Sequence, residues 1–332
     1  MSAPKILTVT PQDAGQRLDR WVRKQVPELG FGQVQKLMRK GAIRLDGSRV
    51  KGAERLAAGS EVRIPALDPP TTRPMKKPAR PTLGPDQIEE VRGWVLFRND
   101  DLIALNKPPG LPTQGGTGVR RHLDGLLDAL RFDAPERPRL VHRLDKDTSG
   151  VILVARSAAA ARWLTTAFRA KTADKRYLAV VVGAPRQPGG RLESRIGKQG
   201  GAGHEKMAMT ADGKPAVTDY EMLDKAADKA ALLALKPLTG RTHQLRLHCA
   251  ELGHPIVGDG KYGGKDAFLS GTLSRKLHLH SRFIELETPA GARLHLEAPL
   301  PDHMAETVAM LGLEADGPDP FTQEDAVEKG RR

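Results

Sequence analysis

Cysteine is nearly missing from this sequence, with Cys249 the only one in 332 residues. An internal disulfide and any multi-cysteine zinc or iron–sulfur site are therefore excluded. Aromatic side chains are scarce at 4%. No stretch approaches the roughly 18 apolar residues of a membrane-spanning helix. Met1-Ser2-Ala3-Pro4-Lys5 lacks the apolar core of a secretory signal. These absences predict a soluble, reduced, cytoplasmic protein with no membrane partner. Acidic residues are also short, 40 against 53 basic ones, leaving a formal net charge of +13. Such an excess favours a polyanionic partner, and nucleic acid in particular, over a small neutral substrate; a merely solvated basic surface is the plainer alternative. Apolar residues make up 39%, enough for a buried core, and the length suits one large or two ordinary domains.

Residues 1–66 read as a self-contained small unit. Leu18, Trp21, Val22 and Val26 recur at helical spacing, as do Val34, Leu37 and Met38. Ile43 and Leu45 flank Arg44, Asp46-Gly47 offers a tight hairpin turn before Val50, and Val62 with Ile64 suggests a closing strand. Lys36, Arg39, Lys40 and Arg44, with Arg49 and Lys51, crowd the second helix and the hairpin, where they can straddle phosphates. From Gln16-Arg17-Leu18-Asp19 to Val62-Arg63-Ile64-Pro65 the stretch resembles the S4 domain, an RNA-binding module of α/β type. Residues 67–90 are rich in proline and basic side chains and read as a linker rather than an element.

A second domain is expected over 91–313, followed by a polar, frayed tail over 314–332. Val95-Leu96-Phe97 and Leu102-Ile103-Ala104-Leu105 read as strands, and Val151–Ala155 as a buried one. Ser157 is placed to cap the helix that carries Trp163, Leu164 and Phe168. Further strand-like runs fall at Tyr177–Val182, Ala231–Leu235, Phe283–Leu286 and Arg293–Leu296. Strands outnumber helices without alternating with them, which predicts an α+β fold with a mixed sheet. Gly115-Gly116-Thr117-Gly118 has neither dinucleotide nor P-loop spacing.

Two polar clusters stand out. The first, His142-Arg143-Leu144-Asp145-Lys146-Asp147-Thr148-Ser149-Gly150, abuts the buried strand. Polar groups in such a place are costly unless paired, so the cluster is either a functional site or a turn tied by local hydrogen bonds. Gly150 would let the backbone bend close to a ligand. The second cluster is Gly240-Arg241-Thr242-His243-Gln244-Leu245-Arg246-Leu247-His248. Arg246 could hold a carboxylate ionised or clamp a phosphate. His243 and His248 have no matched carboxylate at a metal-ligand spacing, so no metal is expected.

Together the clusters resemble the signature pair of the RluA/RluC/RluD family of pseudouridine synthases, closest to the RluC type. Further matches follow in the family order: Leu105-Asn106-Lys107-Pro108, Lys175-Arg176-Tyr177-Leu178-Ala179, Gly253-His254-Pro255-Ile256, Gly258-Asp259, Tyr262-Gly263, Leu279-His280 and Ala298-Pro299-Leu300. Resemblance covers about 16 to 310. Departures are Leu245 for isoleucine, Ser281 for alanine and Thr288 for histidine.

The resemblance implies a catalytic fold with a mixed, largely antiparallel central sheet, and isomerisation of uridine in RNA, 23S ribosomal RNA for the RluC type, by a monomer without cofactor. It implies Asp145 as the catalytic carboxylate, Arg246 as its partner and Tyr177 as the residue that stacks on the uracil. Arg143 would enter the space that an extruded base leaves, and Lys107, Arg241 and His243 would contact RNA. A carboxylate suits positive charge developing at C1′, as in a retaining glycosidase; direct attack on C1′, attack on the base and a glycal route all stay open. The alternatives are a non-catalytic ribosome-assembly factor, a relative acting on tRNA, and a glycosidic hydrolase, whose second positioned carboxylate is not evident.

Overall fold

The computed structural model describes residues 4–66, 83–116, 118–200, 206–271 and 273–322. The chain divides into two compact units, Met1–Arg80 and Pro81–Arg332. Most of the expected linker lies outside the described residues.

The first unit contains β1 (Lys5–Thr8), α1 (Leu18–Gln25), α2 (Phe31–Arg39), β2 (Arg44–Leu45), β3 (Ser48–Arg49) and β4 (Glu61–Ile64). The sheet order is β1-β4-β2-β3. Asp46 and Gly47 both take positive φ, 48° and 76°, which matches the twist of a two-residue hairpin. Leu18, Trp21, Val22, Val34, Met38, Ile43, Val62 and Ile64 close one core. Strand β1 was not expected, because its Ile6 is 60% exposed and no alternation marks it.

The second unit begins with α3 (Pro85–Gly93), which corrects the expected linker end at 90. Proline is tolerated in a first helical turn, and the Gln87 side chain accepts the Gly84 N–H at 3.2 Å. Val91 then anchors the helix in the core. The strands are β5 (Val95–Arg98), β6 (Leu102–Lys107), β7 (Arg139–Leu140), β8 (Ser149–Ala155), β9 (Asp174–Val182), β10 (Gly189–Gln199), β11 (Lys206–Met209), β12 (Lys214–Ala226), β13 (Ala230–Pro237), β14 (Leu279–Glu287) and β15 (Arg293–Glu297). The helices after α3 are α4 (Leu123–Leu126), α5 (Ala158–Ala170), α6 (Gln244–Glu251) and α7 (Asp302–Met310).

The main path of the sheet runs β11-β10-β12-β13-β9-β14-β8-β6-β5, and β14 with β8 is its parallel pair. This is the expected α+β class with a mixed, largely antiparallel sheet. Strands β6 and β8 are buried on both faces. Ile103, Leu105, Ile152 and Val154 pack toward α3 and α4, while Leu102, Ala104, Val151 and Leu153 pack toward α5. On the neighbouring strands Val181 and Leu233 meet α6, and Val180 and Leu232 meet α7.

The expected frayed tail is corrected over 314–322. Asp319 accepts from the Arg176 guanidinium at 2.8 Å, and that guanidinium lies 5.1 Å over the Phe321 ring and 5.6 Å over Phe283. A buried cation already paired with Asp174 at 2.6 Å thus takes a second counter-ion from the tail, which local polarity could not reveal.

Candidate active site

The segment between β7 and β8 carries the first polar cluster, and three ties fix it. Thr113 Oγ1 donates to the Leu144 carbonyl at 2.6 Å and accepts the Leu144 N–H at 3.2 Å. His142 Nε2 accepts the Leu153 N–H at 2.8 Å, while its ring stacks on Phe168 at 4.2 Å. Burial depresses the His142 pKa to about 3, with Lys175 adding to the effect, so the ring stays neutral. Lys107 supplies the third tie. Its ammonium donates to the carbonyls of Pro108, Leu111 and Lys146 at 2.8, 2.9 and 3.1 Å and is fully buried. Burial pushes its pKa down to about 7 against the attraction of Asp147 and Asp145.

Lys107 is therefore corrected from an RNA contact to a clamp on the Asp145 loop. Gly150 is corrected as well. Its φ is 101°, and a Cβ there would lie 2.2 Å from the Ser281 carbonyl oxygen, so the glycine admits β14 rather than a ligand. Ser149 Oγ bonds His280 Nδ1 at 2.9 Å, and His280 Nε2 bonds the Ala298 carbonyl at 3.2 Å, completing the seam.

Asp145 opens into a cleft of about 480 Å³, shared with Arg143, Tyr177, Arg241, His243 and Arg246. Its side chain is 18% exposed. Asp147 does not line the cleft; it sits in a turn before β8. Arg143 is exposed at the cleft. Arg241 lines it while donating to the Pro215 carbonyl at 2.9 Å. Tyr177 on β9 faces Ser281 across the β9–β14 pair. Burial, reinforced by the Asp145 charge, raises the Tyr177 pKa to about 12. The phenol is protonated at neutral pH and offers a ring face and a donor rather than a phenolate base. The Ser281 hydroxyl beside it opposes that rise, yet makes no hydrogen bond of normal geometry.

The second cluster forms the opposite wall. His243 adopts the left-handed region, φ 58°, immediately before α6, which turns its ring into the cleft. Its Nδ1 lies 2.6 Å from the Tyr262 hydroxyl and its Nε2 lies 3.9 Å from Asp145 Oδ2. Burial lowers the His243 pKa, and Asp145 partly offsets this. Arg246 departs from the expected pairing. Its direct bonds run to Asp259, Nε to Oδ2 at 2.7 Å and Nη2 to Oδ1 at 2.6 Å, and Asp145 acts on it through space. Burial works against the Arg246 charge, and the bidentate Asp259 pair more than compensates. Asp259 and Tyr262 are thus site-supporting residues that the sequence did not mark for any role, although both stand in motifs of the resemblance. His248 is buried and bonded to Ser194 and Thr218, each at 2.9 Å, and no metal-ligating cluster occurs among the described residues.

A carboxylate, a protonated phenol and a paired guanidinium share one cleft. Residues 101–251 match the family described as RNA pseudouridylate synthase. The structure is similar to that of human RNA pseudouridylate synthase domain containing 4, with TM-score 0.58, 28% identity, and coverage of 69% of this chain and 97% of that one. Ribosomal large subunit pseudouridine synthase C of Vibrio vulnificus is 34% identical over 92% of this chain and 96% of its own. Its namesake in Escherichia coli is 32% identical over 92% and 96%. The chain belongs to the RluA/RluC/RluD family of RNA pseudouridine synthases, in the RluC-type branch. It is an isomerase by family, and RNA is the substrate class.

Proposed function

We propose that this protein isomerises specific uridines of 23S large-subunit ribosomal RNA to pseudouridine, with Asp145 as the carboxylate that acts at C1′. The observation that carries this reading is the placement of Asp145 in the cleft, beside His243 and facing the Tyr177 wall. An acidic side chain at an RNA-facing site repels phosphate, so a pure RNA binder gains nothing from it. As the N1–C1′ bond breaks, Asp145 stabilises or traps the positive charge at C1′. Tyr177 presents its ring to the freed uracil, Arg246 acts on Asp145 through space, and Arg143 fills the space left by the extruded uridine. Rejoining through C5 breaks the C5–H bond and releases its proton while N1 takes one up, so the isomerisation balances without a redox partner. The names of the RluC-type relatives support large-subunit ribosomal RNA as the target.

The first unit serves as an S4-like RNA grip through Lys36, Arg39, Lys40 and Arg44. The protein works as a monomer in the cytoplasm; no helix among the described residues is long and apolar enough to cross a membrane. Purified protein given unmodified 23S ribosomal RNA, without added cofactor, is expected to form pseudouridine, read by nucleoside chromatography. Transcribed tRNA serves as the comparison substrate. Asp145→Asn should abolish turnover while RNA is still bound. Turnover equal to that of the parent would remove Asp145 from the chemistry.

A further inference from the structure

Helix α5 ends in an unusual way. Lys171, the residue after Ala170, occupies the left-handed region at φ 64°, and its N–H bonds the Ala167 carbonyl. Glycine is the common choice there because an L side chain is strained. The lysine side chain lines the Asp145 cleft together with Arg169 and, from β9, Lys175. Arg169 and Lys171 are exposed and Lys175 is half-buried. None of the three has an ion-pair partner among the described residues. Burial depresses the Lys175 pKa and repulsion from Lys171 adds to this, with Asp174 opposing. Asp174 is itself engaged by Arg176 and Lys236, at 2.6 and 3.4 Å. A half-buried cation facing a second cation is relieved by an arriving anion. Favourable charge at a helix C-terminus accounts in part for Arg169 and Lys171, but not for Lys175 on a strand. The wall is also fixed relative to Asp145, because Phe168 of α5 stacks on His142 of the Asp145 loop.

We propose that Arg169, Lys171 and Lys175 form an anion subsite that takes an RNA backbone phosphate beside the uridine presented to Asp145. This rests on the reading of the cleft as the uridine site. Every nucleotide brought to Asp145 carries phosphates on its own sugar, so a cation wall next to that carboxylate meets one on each binding event. The wall attracts the backbone where Asp145 repels it, which orients the strand as well as holding it.

The test uses full-length Asp145→Asn protein as parent, so that bound RNA is not turned over, and unmodified 23S ribosomal RNA as probe. Binding is measured between about 50 and 200 mM salt. Lys171→Gly in that background is expected to raise Tm by about 1–3 °C, because strain is removed. It should weaken RNA binding several-fold and flatten the slope of log K against log salt by about 0.7. Opposite signs for fold and affinity are not the signature of a helix cap. Lys175→Met, which keeps the stem and deletes the charge, should flatten the slope similarly. Parent-like affinity and slope in both variants would overturn the subsite, even if the Asp145-intact protein forms pseudouridine. Flattened slopes with an Asp145-intact protein that forms none would keep the anion subsite and refute the uridine reading instead.

Discussion

The floor of the cleft and its rim both carry concentrated charge, yet only the floor satisfies it within the fold. On the floor, Arg246 is bound at two points by Asp259, and behind it, under the Asp145 loop, Lys107 directs its three donors at backbone carbonyls. On the rim, Arg143, Arg169 and Lys171 stand in solvent without an ion-pair partner among the described residues. Burying a charge is costly unless it is paired or hydrogen-bonded, so the floor has its partners, one carboxylate and three carbonyls, built into the fold. The rim bears no such cost and leaves its charge available to RNA. Satisfied charge fixes where Asp145 stands, and unsatisfied charge selects what comes to it.

The comparison breaks most sharply at Asp259. Asp259→Ala strands a guanidinium that is only 8% exposed. Leaving one member of a buried pair alone costs about 3–5 kcal/mol. The urea midpoint is expected to fall accordingly, with turnover falling too as Arg246 loses its orientation. Asp259→Asn keeps one acceptor oxygen and should lose less. A parent-like midpoint in both variants would show that the pair does not hold the floor.

Lys107 gives the next largest effect, and it depends on pH. Its folded pKa of about 7 lies below the unfolded lysine value of about 10.4. Below pH 7 both states hold the proton, and the folded state bears the full cost of a buried ammonium. Between about pH 7 and 10.4 the unfolded chain binds the proton and the folded one does not, so this contribution to stability rises with pH. Lys107→Met removes the titration. From about pH 6.5 to about pH 9.5, parent stability should therefore gain on the variant by on the order of 3 kcal/mol, measured by urea unfolding. A constant difference would mean that the three carbonyls keep the lysine charged throughout.

The floor and rim were not equally legible in the sequence. Asp145, Arg143 and Tyr177 could be singled out because each lies in a short contiguous motif, and their side chains do line one cleft. Partnerships were harder. Arg246 invited Asp145 as its partner, but Asp259, thirteen residues further on, reaches it first after the α6 turn. Lys107 looked like a surface cation because nothing in Asn106-Lys107-Pro108 signals burial. In the fold, β6 and β8 were evident from continuous apolar runs, whereas β10 and β12 were not. Only one face of that arm is covered, by residues such as Ile196, Ala216, Thr218 and Tyr220, and the small or polar members of that set mute the alternation. The 314–322 strap was unreadable for a related reason, since its anchors, Asp319 and Phe321, find their partner in Arg176, far back in the chain.

The smallest expected effect extends the rim logic to the first unit. Lys36, Arg39 and Lys40 recur at helical spacing along the end of α2, and all are exposed. Arg44 differs, since its guanidinium already donates to the carbonyls of Gly41 and Gly47 at 3.3 and 3.2 Å. Changing Lys36, Arg39 and Lys40 together to glutamine should leave Tm nearly unchanged, because solvent-facing charges add little to stability. RNA affinity should fall, and the salt slope should flatten by roughly 0.7–0.9 for each phosphate that is no longer neutralised. Arg44→Gln should instead combine a small stability loss with a smaller change in slope, since part of its role is to hold the hairpin. If the triple variant keeps both affinity and slope, the first unit does not grip RNA through α2. Free charge in that unit would then be solvation only, while free charge at the cleft rim would still require its own explanation.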